Sequence, residues 1–327
     1  MAGYTELIKS SNAYKLLAGD KKAGRLSHAY MVCSSDKTYL RDYLKLFAKL
    51  IACDTVNCDG ACRICKGIED ERLTDIVFYP KNREDKISTE DINDLVDDSY
   101  IRPYELPIKL YIIEDVAKMN TSSQNKLLKT LEEPPKNVYL LIGTSSENAV
   151  LPTIKSRIKK LEIPMFCADD LYLALKDKCL DYTKLRSACK ASDGTYGNAL
   201  ELYSSEKFAT ATALAGAVLK GLASSRDVLK VVSEINASGV DLEELLDALE
   251  VLLNELLVYF TDKRMCESSP NADLFKELTS FNRASVIYAL DRVKDAKIKK
   301  YFNGNDIMVM ERLLLQILEG KYKWRKL

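Results

Sequence analysis

The first 163 residues alternate between two patterns, and this alternation restricts the fold more than any other feature. Five short apolar runs rich in β-forming residues are AYMVC (29–33), DIVFY (75–79), KLYII (109–113), VYLLIG (138–143) and the weaker KKLEI (159–163). Stretches with helical spacing lie between them at 36–51, 88–100 and 121–132. A helix-length crossover returns the chain to the same end of a sheet, so strands joined in this way run parallel. The expected fold class is α/β, a mainly parallel sheet with helices on both faces. One helix start is marked in detail: Ser88 or Thr89 can cap the 88–100 helix, with acids following in its first turn.

After Pro164 the strand pattern ends. Residues 168–204 suit a few short helices broken at SDGTYG (192–197), and the pattern is helical from Glu206 onward. DLEELLDALEVLLNELLVYF (241–260) and IMVMERLLLQIL (307–318) place apolar residues at helical spacing, and ESSPNAD (267–273) reads as a loop. Three parts are expected: an α/β domain over 1–164, a small helical domain over 165–205 and an all-helical domain over 206–327. A length of 327 residues accommodates such a division.

Lys plus Arg and Asp plus Glu number 48 each, so no bulk charge draws the chain to nucleic acid or membrane. A local patch is the remaining route. Its candidates are Lys136, Lys155, Lys159, Lys160 and the tail KYKWRKL (321–327), where aromatics interleave with cations. A solvated basic face is the default reading of the lysines, and a frayed helix end is the simpler reading of a seven-residue tail. The start MAGYTELIKS lacks the apolar core of a signal peptide, and the longest apolar runs are too short to span a bilayer. A cytoplasmic location is expected.

Nine cysteines in such a chain suggest thiols or metal ligands rather than disulfides. Four of them, Cys53, Cys58, Cys62 and Cys65, fall in IACDTVNCDGACRICKG with C-x4-C-x3-C-x2-C spacing. Asp59 and Gly60 can turn the chain between them. Four thiolates so close together can close a tetrahedral shell around zinc, and with no open position such a site is structural. The bland reading is four free thiols on a loop. A module contacting DNA there is poorly supported, since only Arg63 and Lys66 offset Asp54, Asp59 and Glu69. Cys33, Cys167, Cys179, Cys189 and Cys266 are scattered and read as small core residues.

Residues 109–157 carry a denser signal. The strand KLYII ends in acids at 114–115, QNKLLKTLEEPP follows at 124–135, and LPTIKSR closes the stretch at 151–157. With HAY at 28–30 and the cysteines from 53, the segment resembles the clamp-loader branch of the AAA+ ATPases. YFNGNDIMVMERLLLQI (301–317) is similar to the family's C-terminal helix. The resemblance implies a RecA-like AAA+ domain of five parallel strands with a zinc module at 53–65, then a small helical lid and an all-α collar for oligomerisation. It also implies the bacterial DNA polymerase III holoenzyme as the setting, at the replisome. The implied partners are the tau/gamma and delta subunits, and through them the sliding clamp and primer-template DNA.

Against that family, the chain has lost a phosphate-binding loop. The family's G-x-x-G-x-G-K-T falls on Ser34 to Arg41. Its glycines become Ser34, Lys37 and Tyr39, its lysine Leu40 and its threonine Arg41. A phosphate loop needs backbone N–H groups free to wrap the phosphates, a lysine on them and a hydroxyl on magnesium. Tyr39 and Leu40 supply none of these, and Asp36 adds like charge. The family's Asp-Glu pair appears reversed as Glu114-Asp115. Thr144 and Ser145 match its first sensor position. In SDGTYGNAL the second-sensor arginine is replaced by Gly197 or Asn198. No ATP is therefore expected, and the pattern is that of a non-hydrolysing, stator-like member. An active clamp-loader ATPase with a divergent loop is the alternative, and would require Lys37.

What the family's pattern retains is an arginine. Ser156-Arg157 resembles the family's Ser-Arg-Cys motif, with Ile158 in place of the cysteine. The resemblance implies that Arg157 reaches a neighbouring subunit's ATP site, a task suited to a planar, permanently charged guanidinium. The bland reading is a surface arginine ending a helix. His28 is the only histidine, so no histidine-based catalytic or metal cluster is available. Packing at the entrance to the first strand is its expected role.

Overall fold

The computed structural model describes residues 3–54, 58, 60–81, 86–262, 271–302 and 304–324. Cys266, Asp59, residues 267–270 of the expected loop and the end of the basic tail, 325–327, lie outside them. Contacts divide the chain into two compact units, Met1–Leu175 with Thr195–Asn198, and Lys176–Gly194 with Ala199–Leu327.

The first unit holds the expected parallel sheet. Its strands are β1 (Ala29–Cys33), β2 (Ile76–Tyr79), β3 (Lys109–Ile113), β4 (Val138–Thr144) and β5 (Lys159–Glu162). They lie in the order β2-β3-β4-β1-β5, and every pairing is parallel. Side chains alternate between faces along each strand. Tyr30, Val32, Leu110, Ile112 and Leu141 join one core, with helices α1 (Gly3–Ser10), α2 (Asn12–Lys22), α3 (Leu40–Ala52) and α4 (Arg63–Glu69). Met31, Tyr111, Ile113, Leu140 and Ile142 join the other, with α5 (Thr89–Ser99), α6 (Thr121–Glu132) and α7 (Pro152–Lys155). Ser88 caps α5 in a reciprocal capping box with Asp91. Helix α8 (Ala168–Leu175) packs on α1.

Two expectations need correction. The helix after β1 begins at Leu40 and not at 36, because residues 34–39 turn around Asp36. Of the scattered cysteines, Cys179 and Cys189 are buried, but Cys33 is only partly buried and Cys167 is exposed. Cys167 precedes α8, where its thiol accepts from the Asp170 N–H at 3.4 Å.

The second unit is helical among its described residues. It contains α9 (Tyr182–Ala191), most of α10 (Tyr196–Ser204), α11 (Glu206–Gly221), α12 (Ser225–Ser238), α13 (Leu242–Thr261), α14 (Ala272–Glu277), α15 (Arg283–Tyr301) and α16 (Asp306–Lys323). Helix α13 is central. Leu245, Leu246, Leu249, Leu252, Leu253 and Leu256 are fully buried, with α13 packed against α11 and α15. No helix among the described residues is long and apolar enough to cross a membrane.

Candidate functional site

In this sheet the chain leaves β1, crosses to the far edge and returns through β3 and β4 to β1's side. Open parallel sheets take ligands outside the carboxyl ends of strands at such a reversal. Residues 34–39 leave the end of β1, Glu114 and Asp115 the end of β3, and Ser145 the end of β4. The sequence-expected elements are therefore brought together at one edge of the sheet.

Their own side chains fill the place. Arg41, in the family's threonine position, is 2% exposed. Its guanidinium donates to Glu114 Oε2 at 2.8 Å, to the Pro80 carbonyl at 3.1 Å and to Glu71 Oε1 at 2.9 Å, with a further contact to Glu71 Oε2. Glu114 thus faces an internal cation. Asp115 is also committed: it accepts from the Ser145 hydroxyl at 2.6 Å and from the N–H groups of Ser145 and Ala117 at 3.1 Å each. Thr144 donates to the Ser146 carbonyl at 3.0 Å.

Asp36 closes the other side of the loop. It is 4% exposed and accepts from the Tyr39 N–H at 3.1 Å, the Tyr43 hydroxyl at 2.7 Å and the Gly197 N–H at 2.8 Å. Tyr39 packs edge-on against Tyr196, with centroids 4.9 Å apart, and against Tyr4 at 5.4 Å. Burial, then the charge of Asp36, pushes the Tyr43 hydroxyl far above its ordinary range. A Cβ at residue 197 would stand 2.5 Å from Asp36 Oδ1, so this approach requires glycine.

The second constellation is the cysteine cluster between α3 and α4. The Sγ atoms of Cys53, Cys58, Cys62 and Cys65 all lie within 4.8 Å of one another, with two pairs at 3.6 Å. Thiolates about 2.3 Å from one tetrahedral ion stand about 3.8 Å apart, so the spacing fits a metal. The Cys65 N–H donates to Cys62 Sγ, which also caps α4, and that bond brings the Cys62 thiol down to about 6. Burial pushes Cys65 the other way. Gly60, at φ 90°, makes the turn and donates to Cys58 Sγ at 3.4 Å. Lys21 fixes the entry to the cluster, donating to the carbonyls of Ile51 at 3.2 Å and Cys53 at 2.5 Å. The cluster can hold a metal ion.

Residues 9–166 match the family model described as DNA polymerase III, delta subunit. This segment, just under half of the chain, is similar to that family. DNA polymerase III subunit tau of Bacillus subtilis (strain 168) is 24% identical over 318 residues, which is 88% of this chain and 56% of that protein. The tau subunit of Escherichia coli (strain K12) is 31% identical over 158 residues, 47% of this chain and 24% of its own length. The chain thus spans little more than half of the longer match and about a quarter of the other. Among solved structures, a gamma-subunit-related DNA polymerase III protein from Thermotoga maritima is 20% identical, over 93% of this chain and 99% of that one, with a TM-score of 0.42. The chain is related to the polymerase III subunits of the tau, gamma and delta kind.

The remaining candidates lie elsewhere on the first unit. Arg157 follows α7 with its side chain 36% exposed. It donates to the Thr153 carbonyl at 2.9 Å and to Ser156 Oγ at 3.1 Å, and pairs with Glu132 of α6 at 2.8 Å. Two candidate DNA-contacting lysines are paired: Lys159 with Asp20, and Lys160 with Glu147 and Glu162. Lys155 donates to the Glu147 carbonyl at 3.3 Å, and Lys136 is exposed. Arg63 in the cysteine module pairs with Glu105. His28 Nε2 lies 3.1 Å from the Leu131 carbonyl, tying the entrance of β1 to α6.

Sequence reasoning passed over Glu71, Tyr43 and the pairing of Arg41 with Glu114. A signal existed for the last. An arginine in the loop's threonine position and an acid at the metal-ligand position are complementary, and the family frame alone would have set them face to face.

Proposed function

We propose that this chain is a delta-prime-type subunit of the DNA polymerase III clamp loader, a member that does not hydrolyse ATP. The observation that carries this reading is the Arg41–Glu114 pair. Where a working site would set a metal-bound hydroxyl beside an acid, a buried guanidinium takes up that acid. A triphosphate with its magnesium would have to displace Arg41 and meet Asp36, Tyr39 and Leu40 where the phosphates go. The sequence likeness to tau and delta subunits supports the clamp-loader setting.

In this reading the first 164 residues are an AAA+ RecA-like domain, 165–205 a lid and 206–327 a collar that assembles with tau/gamma and delta subunits. The assembly places the sliding clamp on primed DNA. Cys53, Cys58, Cys62 and Cys65 hold a structural zinc, which would tie α4 to the end of α3. Arg157, beside Ser156 and paired at rest with Glu132, serves a neighbouring tau/gamma ATP site in trans.

Calorimetry of ATP with magnesium against the purified chain tests the reading. No saturable heat into the high micromolar range is expected. Saturable binding that is lost in Lys37→Ala would overturn it and make the chain a working ATPase with a divergent loop.

A further inference from the structure

Asp36 does more than close the turn before α3. Its three donors come from separate places: Tyr39 just before α3, Tyr43 in the first turn of α3, and Gly197 in the first turn of α10. Residues 36 and 197 are 161 positions apart, and both belong to the first compact unit. Helix starts carry partial positive charge from unpaired N–H groups, and an anion between two of them is held by both. Tyr39, Tyr196 and Tyr4 pack alongside. Gly197 provides the matching vacancy, since a side chain there would strike Asp36 and Thr38.

We infer that Asp36 is a built-in anion that locks residues 195–198 to the 34–41 loop without any bound ligand. The lock is independent of the clamp-loader reading: it requires only the carboxylate and its three donors. A simpler role would be to close the turn that precedes α3, through the Tyr39 N–H alone. The two roles separate by substitution, because a serine hydroxyl can close a turn onto an N–H three residues on but carries no charge and is too short to span to Gly197.

Amide hydrogen exchange on the full chain distinguishes them. In Asp36→Ser, exchange at Gly197 is expected to quicken roughly ten- to hundredfold, as loss of a charge-assisted hydrogen bond implies, while amides within α3 stay protected. Tyr43→Phe, which removes one donor and keeps the carboxylate, is expected to change Gly197 by no more than about threefold. In Asp36→Gly, added formate is expected to slow Gly197 exchange and to leave the native protein unaffected. Unchanged exchange at Gly197 in Asp36→Ser would overturn the lock. So would equal loosening of Gly197 and α3, or a Tyr43→Phe effect as large as that of Asp36→Ser.

Discussion

Arg41 and Glu71 show why single side chains matter at this site. Glu71 sits at φ 55°, a conformation uncommon outside glycine, and its carboxylate is gripped by Arg41 and by Lys45 at 2.9 Å. Burial pushes the Glu71 carboxyl up, but these hydrogen bonds and charges outweigh it and hold the group at about 2, against an ordinary value of 4.5. A depressed acid contributes stability that is present above its unfolded value and is lost as pH falls toward the folded one. The urea midpoint of the native chain should therefore fall faster between pH 4.5 and about 2 than that of Glu71→Gln. Parallel curves would show that the pair contributes nothing. Arg41→Ala removes the cation shared by two acids, and breaking a buried pair from one side costs about 3–5 kcal/mol. Chemical denaturation should show a loss of that size, whereas a loss under about 1 kcal/mol would mean that water already screens the pair.

At the scale of elements, the strands were legible because strands covered on both faces read as short continuous apolar runs rich in β-formers. All five appear within one or two residues of their expected positions. Helices α1, α2 and α4 were not foreseen. The seven residues of α4 are punctuated by a cysteine and a glycine, and its stability comes from tertiary ties rather than its own pattern. Lys45 Nζ donates to the Glu69 carbonyl at 2.7 Å, closing the C-terminus of α4, and the cysteines hold its start. Removing metal should therefore unravel α4 first. A chelator is expected to lower the melting temperature and to expose amides of 58–69 before those of β1. A native preparation should carry about one metal per chain by elemental analysis, zinc on the reading above. A protein that lacks bound metal and resists chelator would remove the structural role.

A second tie of this kind is Lys321, which sequence alone presents as part of a basic tail. The structure buries it. Its ammonium donates to the carbonyls of Leu219 at 3.1 Å and Leu222 at 2.8 Å, closing the end of α11, and lies 4.2 Å above the Phe281 ring. Desolvation pushes its pKa down to about 8 from 10.5. Between these values the unfolded chain binds more protons, so stability contributed here rises with pH from about 8 to 10.5 and is flat below. The difference in unfolding free energy between the native chain and Lys321→Met should follow that course. A difference independent of pH would place the residue's contribution in packing alone.

On the scale of the whole molecule, the sheet, the helical second half and the cysteine cluster followed from local patterns. The filling of the loop site did not, because Arg41 meets Glu114 across 73 positions and Asp36 meets Gly197 across 161. Arg157 is where this molecule is read against its proposed neighbours. Its pair with Glu132 is half exposed, and such pairs are worth about 0–1 kcal/mol, so a phosphate could draw the arginine away at little cost. At rest the pair, with the Thr153 carbonyl, holds the guanidinium beside Ser156. An arginine supplied in trans accelerates the best-studied NTPases by about 10³–10⁵-fold, so on the proposed reading Arg157→Ala should silence one ATP site of the assembled loader. Other sites should continue, and the total rate should fall by that site's share. Arg157→Lys should rescue little, because a point charge cannot bridge two phosphate oxygens. Glu132→Ala should leave turnover near its native value, since it removes only the resting partner. If Arg157→Ala leaves the DNA- and clamp-stimulated rate unchanged, the arginine is a surface group ending a short helix, and the neighbouring site draws its charge from elsewhere.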